Sequence, residues 1–188
     1  MIINKGTLYW ITGLSGSGKT SIAEIVYKNL KKSKEKLVFL DGDVMRYIMD
    51  LKNSGYDKAS RKKIAYVYSK FCKHLTDQGI DVLFATIAMY HEVREWNRSN
   101  IDNYIEIYIK APIGFLVEND KKELYKNALN QKVNNVVGVD IKFEEPLHPD
   151  IVLMNNGKIS IKELAADLLK KIKWNENNFK KILLLWKY

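Results

Sequence analysis

The sequence predicts an α/β fold of three layers, in which a mostly parallel five-stranded sheet carries helices on both faces. Two observations lead to this fold class. Short apolar runs alternate along the chain with longer amphipathic stretches, and such alternation favours parallel strands joined by right-handed helical crossovers. Apolar residues make up 46% and charged residues 28% of the 188 residues, a composition typical of a folded globular domain.

The first half of the chain supplies three predicted strands and two predicted helices. The short apolar runs 7–12, 37–40 and 82–85 have the length and composition of buried strands. Between them, 19–32 and 62–77 place apolar side chains at helical spacing, with Lys and Glu on the opposite side. This part of the chain therefore predicts two consecutive strand–helix units.

The second half completes the predicted sheet. Residues 104–109 and 150–153 are predicted as the fourth and fifth strands, and 161–172 as the closing helix. We predict a single domain over 1–172. The following segment, 173–188, is mixed basic and apolar, and we expect this C-terminal extension to pack on its own domain or on a partner.

Composition also narrows the function classes. The formal net charge of +9 favours anionic partners such as nucleotides or nucleic acid. The sequence has no RNP pattern and no zinc-finger spacing, so we expect no nucleic-acid partner. It has no apolar run of about 18 residues, so we expect no membrane span. With one cysteine, Cys72, and no signal-like N-terminus, the sequence predicts a soluble cytoplasmic protein.

A phosphate-binding motif follows the first predicted strand. The pattern G-x-x-x-x-G-K-[ST] is matched in full by Gly13, Leu14, Ser15, Gly16, Ser17, Gly18, Lys19 and Thr20. Glycines let the backbone point its N–H groups at phosphate oxygens, and the following helix adds its positive N-terminal end. Lys19 is expected to contact the β- and γ-phosphates, and the Thr20 hydroxyl to bind Mg²⁺. The motif predicts a P-loop NTPase or kinase fold that binds a nucleoside triphosphate.

A pair of carboxylates follows the second predicted strand. Asp41-Gly42-Asp43 is expected at the carboxyl edge of the sheet, where open α/β folds bind ligands. One carboxylate can organise Mg²⁺ while the other accepts a proton from an attacking hydroxyl. Asp-Gly is also a common turn dipeptide. The sequence has neither of the strings typical of GTPases, Asp-x-x-Gly and Asn/Thr-Lys-x-Asp. Because the domain is also small, the pattern favours a nucleotide or metabolite kinase.

These motifs together resemble the adenylylsulphate (APS) kinase family. The resemblance covers 7–153 in order, with 9–20 similar to the family's opening strand and loop, 40–46 to its acceptor motif, and 119–140 to its lid region. It implies that Mg²⁺ and ATP are the cofactors. It also implies transfer of the γ-phosphate to the ribose 3′-hydroxyl of a nucleotide such as adenylylsulphate, by a homodimer.

The resemblance also implies roles for individual residues. Lys19, Asp41 and Asp43 correspond to catalytic positions, with Asp43 as the candidate base and Asp41, together with Thr20, at the metal; which aspartate is the base stays open. The implied acceptor-binding residues are Asp43, Arg46, Tyr56, Arg61, Ile87 and Lys126.

Departures from the family pattern concentrate on the acceptor. Val44 and Ile64 each replace an Asn, Tyr66 replaces an Arg, and Val136 replaces the aromatic residue that would face Tyr56. Loss of one ring from a stack on a base costs roughly 1–3 kcal/mol. One hypothesis is therefore unchanged chemistry on a changed acceptor, as in a similar divergent branch that phosphorylates cytidine diphosphoramidate during capsular polysaccharide modification. The other is sequence drift within true APS kinases.

Two alternatives from other classes are an ATP-sensing protein without transfer activity and a nucleic-acid-binding P-loop protein. Both predict no phosphoryl transfer, and the second predicts a steep salt dependence of nucleic-acid affinity. Of the three histidines, His91 alone is expected at the ligand edge, directly after the third strand.

Overall fold

A computed structural model describes residues 4–51, 54–120 and 123–185. Five parallel strands form one sheet in the order β2-β3-β1-β4-β5. They are β1 (Thr7–Thr12), β2 (Leu37–Asp41), β3 (Asp81–Ala85), β4 (Asn103–Lys110) and β5 (Ile151–Met154). All five predicted strands are confirmed, and so is the predicted fold class.

Seven helices accompany the sheet in the described residues. They are α1 (Lys19–Leu30), α2 (Gly42–Ile48), α3 (Lys58–Asp77), α4 (His91–Asn100), α5 (Ile113–Glu118), α6 (Leu124–Leu129) and α7 (Ile161–Leu185). The three predicted helices correspond to α1, α3 and α7. α3 begins four residues earlier than predicted because the carboxylate of Asp57 caps it, accepting the backbone N–H groups of Ala59 and Ser60 at 3.0 Å each. None of these helices is long and apolar enough to cross a membrane.

The last helix runs past the predicted domain end. α7 continues without a break to Leu185, so the predicted extension begins inside a helix. Glu176, four residues into that segment, pairs with Lys34 at 3.2 Å and accepts a hydrogen bond from the Tyr9 hydroxyl. This part of the segment packs on its own domain. Residues 186–188, and positions 121 and 122 of the predicted lid, lie outside the described residues.

Two apolar cores lie on opposite faces of the sheet. Along β1, Leu8 and Trp10 face one core while Tyr9 and Ile11 face the other, as the two-residue period of a strand requires. All four side chains have no exposed surface. Burying each of them stabilises the fold by roughly 1.5–3 kcal/mol, so the alternation fixes which helices cover which face.

A third apolar cluster joins the region after β4 to the phosphate-binding loop. Leu14 and Met89 pack there with Leu116, Tyr125 and Val136. Because all five strands are parallel, the loops that follow β1, β2 and β3 meet at one edge of the sheet. The third cluster covers this edge, and the fold therefore places the predicted motifs together.

Candidate active site

The phosphate-binding loop takes its shape from glycines. Gly16 and Gly18 have φ angles of +73° and +92°, in the region that side chains with a Cβ rarely adopt. A Cβ on Gly18 would lie 2.9 Å from the Asn155 side-chain nitrogen, which donates a 2.9 Å hydrogen bond to the carbonyl of Ser17. Asn155, in the loop after β5, therefore fixes the phosphate-binding loop from outside the motif.

The predicted lysine and threonine lie where the loop enters α1. Lys19 is largely buried, and its Nζ donates a 2.7 Å hydrogen bond to the carbonyl of Leu14 across the loop. The Thr20 hydroxyl donates a 2.7 Å hydrogen bond to Oδ2 of Asp41. The structure thus brings together the two residues predicted to hold a metal ion.

The two aspartates differ in their surroundings. Oδ1 of Asp41 accepts the backbone N–H groups of Asp43 and Val44 at 2.9 and 3.4 Å, which caps α2, while its other oxygen accepts the Thr20 hydroxyl. Asp43 lies in the first turn of α2, is exposed and lines the pocket. The carboxylate of Asp41 is therefore held in place at both oxygens, and that of Asp43 faces the pocket.

A pocket of about 820 Å³ opens at this edge of the sheet. Ten of the predicted site residues line this pocket, namely Ser15, Gly16, Gly18, Lys19, Thr20, Asp41, Asp43, Arg46, Arg61 and Ile87. Gly13, Leu14 and Ser17 belong to the same loop, but they are buried and are not part of the pocket lining. Most of the predicted site residues therefore belong to one pocket.

Arg46 and Arg61, which line the pocket, pack against the ring of Tyr56, which is not part of the pocket lining. The two guanidinium carbons lie 4.3 and 5.1 Å from the centre of the Tyr56 ring. Arg46 donates to the carbonyls of Leu51 and Gly55 at 3.0 and 3.1 Å. Burial, assisted by the charge of Arg46, lowers the pKa of Arg61 from its ordinary value. Two arginine side chains that line the pocket thus share one aromatic ring.

The structure separates the last two predicted acceptor residues. Ile87 lines the pocket, and its carbonyl accepts the Thr12 hydroxyl at 2.5 Å. Lys126 is exposed on α6, and its side chain is not part of the pocket lining. The reason is the orientation of α6, because Tyr125 faces inward and donates its hydroxyl to the carbonyl of Ser15 at 2.9 Å.

The departures from the family pattern occupy different environments. Ile64 and Val44 line the pocket. Tyr66 packs edge-on against Trp96, with ring centres 6.5 Å apart, and is not part of the pocket lining. Val136 is buried in the third apolar cluster and does not line the pocket either. Of the four substitutions, only Ile64 and Val44 shape the pocket directly.

Several pocket residues were not predicted from the sequence. Tyr68 lines the pocket and donates its hydroxyl to the carbonyl of Gly42 at 3.2 Å, and burial raises its pKa to about 12. Helical spacing from Arg61 and Ile64 would have placed it on the same face. Tyr90 and Phe115 follow irregular segments, for which the sequence carries no comparable signal.

Comparison with known proteins identifies a family for this chain. Residues 5–154 match the family model described as Adenylylsulphate kinase. The chain belongs to the adenylylsulphate kinase family. It is therefore a kinase, and phosphoryl transfer is favoured over the ATP-sensing and nucleic-acid-binding alternatives.

The chain is similar to two kinds of kinase, which are named for different acceptors. The chain is 41% identical to the cytidine diphosphoramidate kinase of Campylobacter jejuni, over 90% of this chain and 98% of that protein. It is 35% identical to the adenylyl-sulfate kinase of Gloeothece citriformis, over 78% of this chain and 83% of that protein. A solved structure of the Mycobacterium tuberculosis APS kinase in complex with AMPPNP and APS is also similar, with a TM-score of 0.80, 28% identity, and coverage of 90% of this chain and 98% of that one.

Proposed function

We propose that this adenylylsulphate kinase family member transfers the γ-phosphate of ATP to a ribose hydroxyl of cytidine diphosphoramidate. The observation that carries the proposal is the 41% identity with the Campylobacter jejuni enzyme over 98% of that protein. Adenylylsulphate is the second candidate acceptor, favoured by the family model and by the relatives named for it.

The triphosphate half of the pocket supports ATP as the donor. Backbone N–H groups at the start of α1 and the Lys19 ammonium group offer positive charge where the β- and γ-phosphates would bind. Phosphoryl transfer requires mainly positioning and charge neutralisation, and these groups supply both. We therefore assign the loop to the donor nucleotide.

The residues present also fit Mg²⁺. The Thr20 hydroxyl and the Asp41 carboxylate lie 2.7 Å apart beside the phosphate-binding loop, and both are hard oxygen ligands of the kind that Mg²⁺ prefers. We propose that these two residues hold the ion, directly or through its waters. When bound, Mg²⁺ would neutralise charge on the phosphates and help to orient them.

Asp43 is the residue we assign as the general base. Asp43 lines the pocket in the first turn of α2, whereas Asp41 caps that helix and lies beside Thr20, where we place the metal ion. In the reaction the acceptor oxygen bonds to the γ-phosphorus as the bond to ADP breaks, and Asp43 takes the hydroxyl proton. We assign Arg46 and Arg61, which both line the pocket, to the anionic group of the acceptor.

The acceptor side of the pocket supports a changed substrate. Ile64 and Val44 present apolar surface where the family pattern has amides, so a polar edge of adenylylsulphate would lose hydrogen-bond partners. A buried site that hydrogen-bonds its substrate discriminates strongly against analogues with a different polar pattern. This supports an acceptor other than adenylylsulphate.

The test is turnover with Mg²⁺ and ATP against a panel of acceptors, measured as ADP release. The panel contains cytidine diphosphoramidate, adenylylsulphate, CDP, CMP and AMP. We expect the highest kcat/KM with cytidine diphosphoramidate. A preference for adenylylsulphate would overturn the acceptor assignment, and no turnover with any of the five would overturn the nucleotide-kinase proposal.

We also propose that the chain forms a homodimer in the cytoplasm. The resemblance to the family supports the dimer, and the use of ATP as donor supports the location. Sedimentation equilibrium tests the first, with a mass of twice 21.9 kDa expected. Fractionation of cells tests the second.

A further inference from the structure

Arg94 is a buried arginine behind the pocket wall. It lies on α4, is 4% exposed, and its Nε pairs with Oε1 of Glu106 at 3.1 Å. Glu106 is equally buried in the middle of β4, opposite Trp10 of β1. Neither charged residue is part of the pocket lining. A buried ion pair is costly to desolvate and is by itself weak evidence for stability.

The guanidinium group of Arg94 also anchors the backbone at Glu144 to α4. Its Nη2 donates to the carbonyl of Glu144 at 2.8 Å and lies 2.9 Å from Nδ1 of His91. Glu144 in turn contacts the segment that follows β3. Its backbone N–H donates to the carbonyl of Met89 at 3.1 Å, and its carboxylate accepts the backbone N–H of His91 at 2.6 Å.

These two segments form neighbouring parts of the pocket lining. Residues 87–90 line it after β3, and residues 141–143 line it directly before Glu144. The way the two segments are joined therefore contributes to the shape of the pocket on this side. Arg94 bonds to the carbonyl of Glu144, Glu144 is bonded to the backbone of Met89 and His91, and Glu106 fixes Arg94 to the sheet.

We propose that Arg94 is a positioning residue that sets the shape of the acceptor side of the pocket. It acts through residues 87–90 and 141–144 and touches no substrate. The proposal rests on the assignment of this side of the pocket to the acceptor. The phosphate-binding loop has a support of its own in Asn155, which bonds to the carbonyl of Ser17.

The chain offers a matched control in Arg98, one turn further along α4. Arg98 pairs with the same Glu106 at 3.2 Å, but it is 44% exposed and its other partners are Asp150 and the carbonyl of His148. Arg98→Met therefore removes a charge beside Glu106 without touching the bonds to Glu144 or His91. Arg94→Met is combined with Glu106→Gln, so that no unpaired carboxylate stays buried.

Steady-state kinetics with the best acceptor tests the proposal. We expect the Arg94→Met/Glu106→Gln variant to raise the acceptor KM at least 10-fold and to change the ATP KM less than twofold. Arg98→Met should change each constant less than twofold. Amide hydrogen exchange gives a readout without activity, because protection of the His91 and Glu144 amides should fall in the double variant alone.

Each outcome decides a separate point. An acceptor KM that rises no more than in Arg98→Met, or an ATP KM that rises equally, would overturn the positioning role. If the wild-type enzyme turns over no acceptor, the proposed function fails, but hydrogen exchange still tests whether Arg94 holds the backbone around His91 and Glu144. If the double variant does not fold, Arg94→Lys replaces it, since it keeps the charge but loses the forked geometry; we expect its acceptor KM to rise several-fold.

Discussion

The phosphate-binding loop and the acceptor side of the pocket are built in opposite ways. The loop is eight consecutive residues, shaped by glycines with positive φ between β1 and α1. The acceptor side combines α3 with segments 87–90 and 141–143, which are far apart in sequence. A site whose shape is set by local backbone can be predicted from a motif. A site assembled by tertiary contacts changes whenever one of its supports changes.

The largest expected effect comes from a substitution of Asp43, the proposed general base. Asp43→Asn keeps the size of the side chain but removes the proposed base, so we expect kcat to fall by about 10²–10⁴-fold. The ATP dissociation constant should change less than threefold, because the phosphate-binding loop is untouched. Single-turnover kinetics and ATP titration by calorimetry measure the two quantities.

Asp41→Asn is the comparison for this prediction. Its amide still offers an oxygen to the Thr20 hydroxyl, but the charge beside that hydroxyl is lost. We expect the Mg²⁺ concentration for half-maximal rate to rise in Asp41→Asn and to stay unchanged in Asp43→Asn. Equal Mg²⁺ dependence in both variants would contradict the division of roles.

The next effect is confined to the loop. Gly18→Ala places a Cβ at φ +92° and 2.9 Å from the Asn155 amide nitrogen, so we expect the free energy of unfolding to fall by about 1–3 kcal/mol. The ATP KM should rise and the acceptor KM should not. Chemical denaturation and initial-rate kinetics provide the measurements.

Gly114→Ala is its control in the same chain. Gly114 lies in α5, and a Cβ there would have no neighbouring atom within 4 Å among the described residues. Since Ala favours helix by up to about 1 kcal/mol over Gly, this variant should be as stable as wild type or more so. Equal destabilisation by both substitutions would show that the backbone of the loop is not the cause.

The same contrast explains what the sequence could predict. Each strand is a short apolar run, and all five were predicted. The helices α2, α4, α5 and α6 were not, because they have 6 to 10 residues and too few apolar positions to show a period. Tertiary packing determines them.

The site follows the same rule. Lys19 and Thr20 lie in a contiguous motif, and the structure brings them to the pocket as predicted. Lys126 was carried over from the resemblance, but the direction of its side chain depends on how Tyr125 anchors α6, which no local pattern encodes. Asn155 gives no signal in the sequence, because its role depends on β5 lying close to the phosphate-binding loop.

A smaller effect tests which family departures matter for the acceptor. Ile64→Asn restores the family's amide in the pocket wall, and we expect the ratio of kcat/KM for adenylylsulphate over cytidine diphosphoramidate to rise several-fold. Tyr66→Arg restores the family's other residue, but Tyr66 packs against Trp96, so the ratio should stay within twofold. If Tyr66→Arg changes the ratio more than Ile64→Asn, then α3 does not direct Ile64 toward the pocket and Tyr66 away from it.

The smallest effect concerns the turn that supports residues 136 and 137. Desolvation opposes ionisation of the exposed Asp140 side chain, but hydrogen bonds from the backbone N–H groups of Asn135 and Val136 at 2.5 and 2.6 Å outweigh it and lower the pKa of Asp140. A carboxyl whose pKa is lowered by folding stabilises the protein above its unfolded pKa of about 3.9, and this contribution is lost as the pH falls through the folded value.

Asp140→Asn should therefore lower the free energy of unfolding at pH 7 by less than about 1 kcal/mol, because the carboxylate is exposed and screened. The difference from wild type should shrink below pH 4, as the wild-type carboxylate takes up its proton. Asp167→Asn is the control, since Asp167 forms an exposed ion pair with Lys171 at 2.9 Å whose contribution should vanish in about 1 M salt. Denaturation curves at pH 7 and pH 3.5 measure both variants. An equal loss at the two pH values would mean that the backbone bonds to the Asp140 carboxylate do not hold this turn.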